Sequence, residues 1–344
     1  MSIRTLVVDD TSLYRILVQD ALSKISGVEV VGIAKNGREA LEKIQDLKPD
    51  LVILDVEMPE MTGIELLKEL QKSNLKPGVV MLSSFTVRGG DLTIEALQLG
   101  AFDFITKPEA GSSRENQQKL LDALRPIVDS FQKLVLPQSP LKPCPIRHRP
   151  RDQGVHEIVV IGVSTGGPQA LSRLFSQFTI PPQVPVVVVQ HMPPLFTQSL
   201  AASLSKRSCF PVKEGEDGEI LRPGVGYIAP GGFQMKVVRV GDGVRLIVNQ
   251  DPPENNCRPS VDYLFRSVSQ VYKEKATGVI MTGMGNDGTL GLQLMKRMGA
   301  WVIAQDEASC VVFSMPREAI KTGIVDTVVG LDRLGEAIME TLGQ

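Results

Sequence analysis

A serine held where a buried strand meets a helix can act as a nucleophile, because it is exposed there and the helix's free N–H groups stabilise a developing anion. Ser164 occupies such a place. Ile158 to Pro168 reads IVVIGVSTGGP, a β-branched run that leads into Gly162, Gly166 and Gly167. Pro168 suits the start of the following helix, QALSRLFSQF. The same stretch also suits a glycine-rich phosphate cradle in which Ser164 is one more donor. Taken alone, it leaves both chemistries open.

Acyl transfer by serine requires a base in hydrogen-bonding reach and an acid to orient that base. The chain holds three histidines. His148 lies in a proline-rich stretch, and His156 precedes the first strand of its sheet and so belongs at the opposite end. His191 remains, directly after the apolar run Val184 to Gln190, although a histidine there could also cap a strand or pack in a core. Asp287, in GMGNDGTLG, follows a third run from Ala276 to Thr282 and reaches the same sheet edge. An aspartate between Gly285 and Gly288 also suits a turn, or an N-cap before Thr289. The backbone N–H of Thr165 is the natural first oxyanion donor, and the GMGNDG loop could supply a second. The order Ser, His, Asp differs from the Ser, Asp, His of α/β-hydrolases, and no GxGxxG follows the strand, which weakens a dinucleotide reading.

A second set of residues suits different chemistry. Asp9, Asp10, Asp55, Ser83 and Lys107 all fall at the ends of predicted strands. Three carboxylates brought together persist only where a cation or proton relieves their repulsion, and oxygen ligands without histidine or thiolate favour Mg²⁺. Lys107 adds positive charge and Ser83 a hydroxyl, which makes an anion-receiving site. The plainer alternative is that Asp10 or Thr11 merely caps a helix beginning near Ser12.

Two α/β units must position these sets. In the first half, strands are predicted at Thr5–Val8, Val28–Ala34, Leu51–Leu54, Val79–Leu82 and Phe102–Ile105, with amphipathic helices between them, which gives an open five-stranded parallel sheet. Ligands in such folds sit beyond the carboxyl ends of the strands. In the second half, further strands are predicted at Trp301–Gln305 and near Ile324–Val328. FQMKVVRVGDGVRLIVN reads as an antiparallel hairpin turning at Asp242-Gly243. Between the halves, Pro137, Pro140, Pro143, Pro145 and Pro150, with Lys142, Arg147, Arg149 and Arg151 among them, read as an extended connector whose basic residues form a solvated face or touch an acidic surface of one of the two domains. The expected divisions are therefore 1–130, a linker over 131–154, and 155–344.

Composition narrows the function classes. A net charge of −2 gives no electrostatic case for nucleic acid, and the second half shows neither a helix-turn-helix pattern nor a basic stripe. Cys144, Cys209, Cys257 and Cys310 are far apart, without the spacing of a zinc site or a disulfide framework. MSIRTLVVDD has no cationic start before an apolar stretch, and no apolar run reaches the roughly 20 residues of a membrane span. The expectation is a cytoplasmic protein with no membrane insertion.

VVDD, ILDVEMPEMTG, MLSS and ITKP resemble the motifs of response-regulator receiver domains, which have a flavodoxin-like fold. The resemblance implies that Asp55 accepts a phosphoryl group and that Asp9, Asp10, Asp55 and the Glu57 backbone carbonyl hold Mg²⁺. It further implies that Ser83 and Lys107 contact the phosphoryl group and that Phe104 is the switching aromatic. GVSTGGP, VVVQHMPPLFTQSLA, YIAPGG, RPSVDYLF and MTGMGNDGTLG resemble the catalytic domain of the CheB family of chemotaxis protein-glutamate methylesterases, across residues 155 to 342. That resemblance implies hydrolysis of glutamyl methyl esters on chemoreceptor cytoplasmic domains, with methanol released and glutamines deamidated. It implies a triad of Ser164, His191 and Asp287, with no cofactor in the hydrolase site and the Met284 backbone N–H in the oxyanion hole. A chemotaxis histidine kinase would be the phosphodonor, and the unphosphorylated receiver would cover the active-site edge. Histidine is common in that family where this chain has Gln234 and Cys257, a departure that bears on substrate preference. The opposing expectation is a non-enzymatic phospho-switch whose second domain binds a partner or nucleotide.

Overall fold

In a computed structural model of the chain, residues 2–108, 111–135 and 155–344 are described. The proline-rich connector, His148 and Cys144 lie outside them. The chain divides into two compact units, each treated by itself.

The strands of the first unit are β1 (Ile3–Val8), β2 (Val28–Ala34), β3 (Leu51–Asp55), β4 (Gly78–Ser83) and β5 (Asp103–Thr106). All pair in parallel, in the order β2-β1-β3-β4-β5. Helices cover both faces, so the central strands need apolar side chains on both sides, and LVV and LVIL supply them. Val7, Val8, Val52, Ile53, Leu54 and Val80 are fully buried. Each such side chain stabilises the fold by about 1.5–3 kcal/mol relative to exposure. Local chemistry starts the helices: Asn36 accepts from the Glu39 N–H, and Thr62 and Glu65 form a reciprocal capping box before Gly63–Lys72. The last helix, Ser113–Val135, continues past the boundary expected at residue 130.

The second unit contains β6 (Ile158–Val163), β7 (Val186–Gln190), β8 (Val212–Glu214), β9 (Gly226–Ile228), β10 (Gln234–Val240), β11 (Gly243–Asn249), β12 (Ala276–Ile280), β13 (Trp301–Gln305) and β14 (Thr327–Val329). Seven strands form a parallel sheet, β14-β13-β12-β6-β7-β9-β8, and β10–β11 is a separate antiparallel hairpin. Three details differ from the sequence expectation. The short strands β8 and β9 carry no alternating pattern and extend the sheet unannounced. The last strand begins at Thr327 rather than near Ile324. The hairpin turns at Gly241-Asp242, because Gly243 already pairs with Val240.

The hairpin belongs to the same core as the sheet. Met235, Val237 and Leu246 pack with Val261, Leu264, Phe265 and Val268 of the helix Val261–Val271. The chain runs outward from β6 through β7 and returns to β12 on the other side of β6. The gap between β6 and β12 is thus a topological switch point, where parallel sheets open a crevice at their carboxyl ends.

Candidate active site

Ser164 and His191 become neighbours through strand register. Val163 of β6 pairs with Gln190 of β7, and the His191 N–H donates to the Val163 carbonyl at 3.2 Å. The next residue on each strand is Ser164 and His191. On the other flank the Ser164 N–H donates to the Thr282 carbonyl at 3.0 Å, just beyond β12. Gln190 then ties the two ends together, its Nε2 donating to the Ser164 carbonyl at 3.0 Å and to the His191 carbonyl at 3.2 Å. That amide requires glycine opposite it, since a Cβ on Gly167 would lie 1.9 Å from Gln190 Oε1. Gly167, rather than Pro168, opens the helix Gly167–Phe175, with the proline inside its first turn. His156 is buried away from this edge, its Nδ1 2.6 Å from Thr277 Oγ1 in the first half of β12.

Asp287 is nearly fully buried, and its Oδ2 accepts from His191 Nε2 at 2.7 Å. It does not cap its own helix, whose N-cap is Gly288. Instead it caps a different one: Val261 N–H, Asp262 N–H and Ser260 Oγ, at the start of Val261–Val271, donate to it at 2.7, 3.0 and 2.9 Å. Asn255 Nδ2 adds a bond at 2.8 Å to Asp287 Oδ1 and another at 2.8 Å to Asp262 Oδ2. Burial opposes the Asp287 charge, but the His191 hydrogen bond and these N–H donors outweigh it and hold the carboxyl at about 2. Burial likewise opposes a charged His191, and the hydrogen bonds to Asp287 and Cys257 outweigh it, raising the imidazole to about 9. Burial pushes the neighbouring Asp262 up to about 6, against the Gly291 N–H that donates to it.

Among the described residues no hydrogen bond joins Ser164 Oγ to His191. With Nε2 engaged by Asp287, Nδ1 faces Cys257 Sγ at 3.7 Å. Cys257, which the sequence placed outside the triad and linked to substrate preference, lies against the imidazole. The structure gives Gln234 a different position from Cys257. Gln234 is fully buried, with Nε2 donating to the carbonyls of Pro252 and Cys257 and Oε1 accepting from the Ser260 N–H. Gln234 therefore braces the loop that carries Cys257 and leads to the Asp287 cap. Asn255 went unnoticed as well; its left-handed backbone, φ 52°, is one that asparagine tolerates better than most residues, and NN in PENNCRPS was the available signal. Thr165 is buried and its carbonyl accepts from Thr282 Oγ1 at 2.9 Å, while Met284 follows Gly283, whose N–H donates to the Val312 carbonyl. His191 and Cys257 line an open cleft of about 440 Å³ with Met192, Pro193, Asn256 and Arg258.

In the first unit, Asp9, Asp10 and Asp55 each bring a carboxylate oxygen within 4.8 Å of the others. Lys107 Nζ lies 2.7 Å from both Asp9 Oδ2 and Asp55 Oδ2. Burial pushes Asp55 up to about 6; Lys107 pulls the other way, and Asp9 reinforces the rise. Burial works against the Lys107 charge, but the two aspartates overcome it and raise its pKa. Thr11 is the N-cap of the helix from Ser12 but its side chain makes no capping bond; its N–H donates to Asp9 Oδ1 and its hydroxyl to Asp10. The Lys107 N–H donates to the Ser83 carbonyl at 2.8 Å, joining the last two strand ends, and the buried Ser83 hydroxyl accepts from Thr93 at 2.7 Å. Glu57 extends its side chain to Arg88, and Phe104 is half-buried on β5. Three hard oxygen donors, all from carboxylates, fit Mg²⁺.

A family model described as CheB methylesterase matches residues 159–338, and one described as response regulator receiver domain matches residues 5–120. A protein-glutamate methylesterase/protein-glutamine glutaminase of Desulfotalea psychrophila is 49% identical, covering 99% of each chain. A relative of the same name from Trichodesmium erythraeum is 42% identical over 99% of each chain. The crystal structure of the Thermotoga maritima CheB methylesterase catalytic domain matches at 43% identity with a TM-score of 0.53, covering 54% of this chain and 99% of that one.

Proposed function

The chain belongs to the CheB methylesterase family, and from that membership we propose that it is a protein-glutamate methylesterase and protein-glutamine glutaminase in which phosphorylation of the receiver raises hydrolysis. The observation that carries the reading is the 2.7 Å His191–Asp287 pair, with Asp287 buried and His191 on the strand end next to Ser164. A carboxylate held ionised by backbone donors fixes the imidazole's orientation and stabilises its charged form.

Ser164 Oγ attacks the side-chain carbonyl of a glutamyl methyl ester, and His191 takes its proton at Nδ1, since Nε2–H is committed to Asp287. The N–H groups of Thr165 and Met284 receive the oxyanion. Collapse breaks the ester bond, and His191 returns the proton to the leaving methoxide, giving methanol. Water, deprotonated by the same imidazole, then hydrolyses the acyl-enzyme and frees glutamate and Ser164. With a glutamine substrate the leaving group is ammonia. The substrates are methylated chemoreceptor cytoplasmic domains, met in the cytoplasm; among the described residues no helix is long and apolar enough to cross a membrane.

In the receiver, Asp55 is the phosphoacceptor and a chemotaxis histidine kinase the donor. Asp9, Asp10, Asp55 and the Glu57 carbonyl would hold Mg²⁺, which would offset the charge of the incoming phosphoryl group. Lys107 and Ser83 bind that group, and their loops, already joined by a backbone hydrogen bond, shift with Phe104.

A serine-reactive fluorophosphonate labels Ser164 on this reading, and Ser164→Ala abolishes both labelling and methanol release from methylated receptor. Full activity in that variant would overturn the assignment.

A further inference from the structure

We propose that His191 and Cys257 form a binding site for a thiophilic divalent cation, Zn²⁺ as its type, and that occupation of this site switches the hydrolase off. The switch rests on the reading of His191 as the base; the binding site does not.

Distance is the first argument. Cys257 Sγ lies 3.7 Å from His191 Nδ1. A tetrahedral zinc with Zn–S of about 2.3 Å and Zn–N of about 2.0 Å needs its sulfur and nitrogen about 3.6 Å apart. The two atoms, joined by a hydrogen bond when no ion is bound, therefore stand at chelating separation. Orientation is the second. The opposite ring nitrogen donates to Asp287 at 2.7 Å, and a carboxylate on the far nitrogen is the arrangement that orients a metal-bound imidazole and raises its basicity. The device that prepares His191 as a base thus prepares it as a ligand.

Asp287 itself is close enough to count as a third donor. Its oxygens, however, already accept from Asn255, Ser260, Val261 and Asp262, so it acts through the histidine rather than on the cation. Water completes the coordination shell from the open cleft that both ligands line. The donor set selects the ion: one sulfur and one imidazole nitrogen favour Zn²⁺ and exclude Mg²⁺, whereas the receiver's carboxylates have the reverse preference. Binding displaces both the thiol proton and the imidazolium proton at Nδ1, so affinity rises with pH. It also occupies the Nδ1 lone pair that would take the Ser164 proton, and hydrolysis stops until a chelator removes the ion.

Co²⁺ added to the full-length protein reports a thiolate ligand through a sulfur-to-metal charge-transfer band, which the all-oxygen receiver site cannot give. The expected result is a band that Zn²⁺ abolishes, with Zn²⁺ inhibition of ester hydrolysis reversed by EDTA. In Cys257→Ser the band disappears and the Zn²⁺ concentration for half inhibition rises at least about tenfold, each variant being referred to its own activity in EDTA. Cys209→Ser, which alters an exposed cysteine that does not line the cleft, keeps both responses. Should Cys257→Ser fail to fold, the wild type still decides: Zn²⁺ protects Cys257 but not Cys209 from iodoacetamide, as read by peptide mass spectrometry. No band in the wild type, a band surviving in Cys257→Ser, or alkylation of Cys257 unaffected by Zn²⁺ overturns the site. If the band forms but fluorophosphonate does not label Ser164, the hydrolase reading fails and the switch with it, while the cation site stands; labelling without the band sinks the cation site alone.

Discussion

Asp55 and Asp287 are both buried aspartates, one the last residue of β3 and the other in the loop that follows β12, and their chemistry runs in opposite directions. Asp55 faces Asp9 and Asp10, with Lys107 set against all that negative charge, and burial drives it up to about 6. Asp287 sits at the start of a helix, where Val261, Asp262, Ser260 and Asn255 donate to it along with His191, and it is held at about 2. Burial acts on both, so the number and charge of the donors decide the sign. On the proposed reading, one carboxylate is left to take on a new group, and the other is fixed so that it orients its neighbour. A switch and a catalytic centre call for those two different environments.

The widest separation between the sites comes from Asp→Asn at each. At Asp287 the change removes the anion while leaving its donors in place, and an amide N–H now opposes some of them. Hydrolysis should fall by about 10³–10⁴-fold, because the imidazole loses its orienting charge. Stability at pH 7 should fall by about 2–3 kcal/mol, the worth of a carboxyl lowered from 3.8 to about 2. Wild-type stability from this group is present above pH 4 and lost as pH falls towards 2. Asp55→Asn should do the reverse. A carboxyl raised to about 6 favours the fold below pH 4 and loses that contribution as pH rises through 6, so the amide should stabilise the receiver at pH 7 by roughly 1–3 kcal/mol. The same variant should lose stimulation by acetyl phosphate, measured as the ratio of rates with and without it. Thermal unfolding of the full chain at about pH 2.5, pH 4 and pH 7 checks both signs; equal shifts in the two variants would erase the contrast.

Glycine contacts sharpen it at smaller scale. A Cβ on Gly63 would lie 2.2 Å from the Asp55 carbonyl oxygen, which belongs to the backbone of a central strand. A Cβ on Gly167 would strike the Gln190 side-chain amide, the end of a side chain rather than backbone. Gly63→Ala should therefore cost the receiver about 3 kcal/mol or more, by displacing the strand end that carries Asp55. Gly167→Ala should cost about 1–2 kcal/mol, with roughly a tenfold loss of hydrolysis as Gln190 releases the Ser164 and His191 carbonyls. A larger stability loss in Gly167→Ala would show that Gln190 cannot move.

Much of this was legible in the chain. Buried parallel strands are continuous apolar runs, so VVDD, LVILD and VVVVQH declared both the strand and the residue at its end. That is why Ser164 and His191 could be placed on one edge without coordinates. The supports of Asp287 were not legible, because Asn255, Ser260 and the N–H groups of Val261 and Asp262 arrive from a separate loop and helix. Nothing local in GMGNDG encodes that meeting. Strands β8 and β9 escaped for another reason: VKE and GYI are too short to display a period. Cys257 stood out only as a departure beside RPSVDYLF; its contact with His191, across 66 residues of sequence, was not legible.

That contact gives the smallest effect, and it bears on how the two sites differ in their use of pH. Desolvation alone would lower the His191 pKa; Asp287 and then Cys257 raise it to about 9. A base must be neutral to accept the Ser164 proton, so hydrolysis should climb as pH rises towards 9, within a range where Asp55 is already ionised. Removing the sulfur as an acceptor in Cys257→Ala takes away support for the charged imidazole, while Asp287 keeps its own. The His191 pKa then falls, the rising limb of the pH–rate profile moves to lower pH by less than about one unit, and the rate at pH 7.5 increases a few-fold at most. Measurements of kcat/KM in EDTA from pH 6 to pH 10 resolve such a displacement. A profile that does not move would assign the raised pKa to Asp287 alone, and a profile that moves to higher pH would mean that Cys257 opposes the imidazolium instead of supporting it.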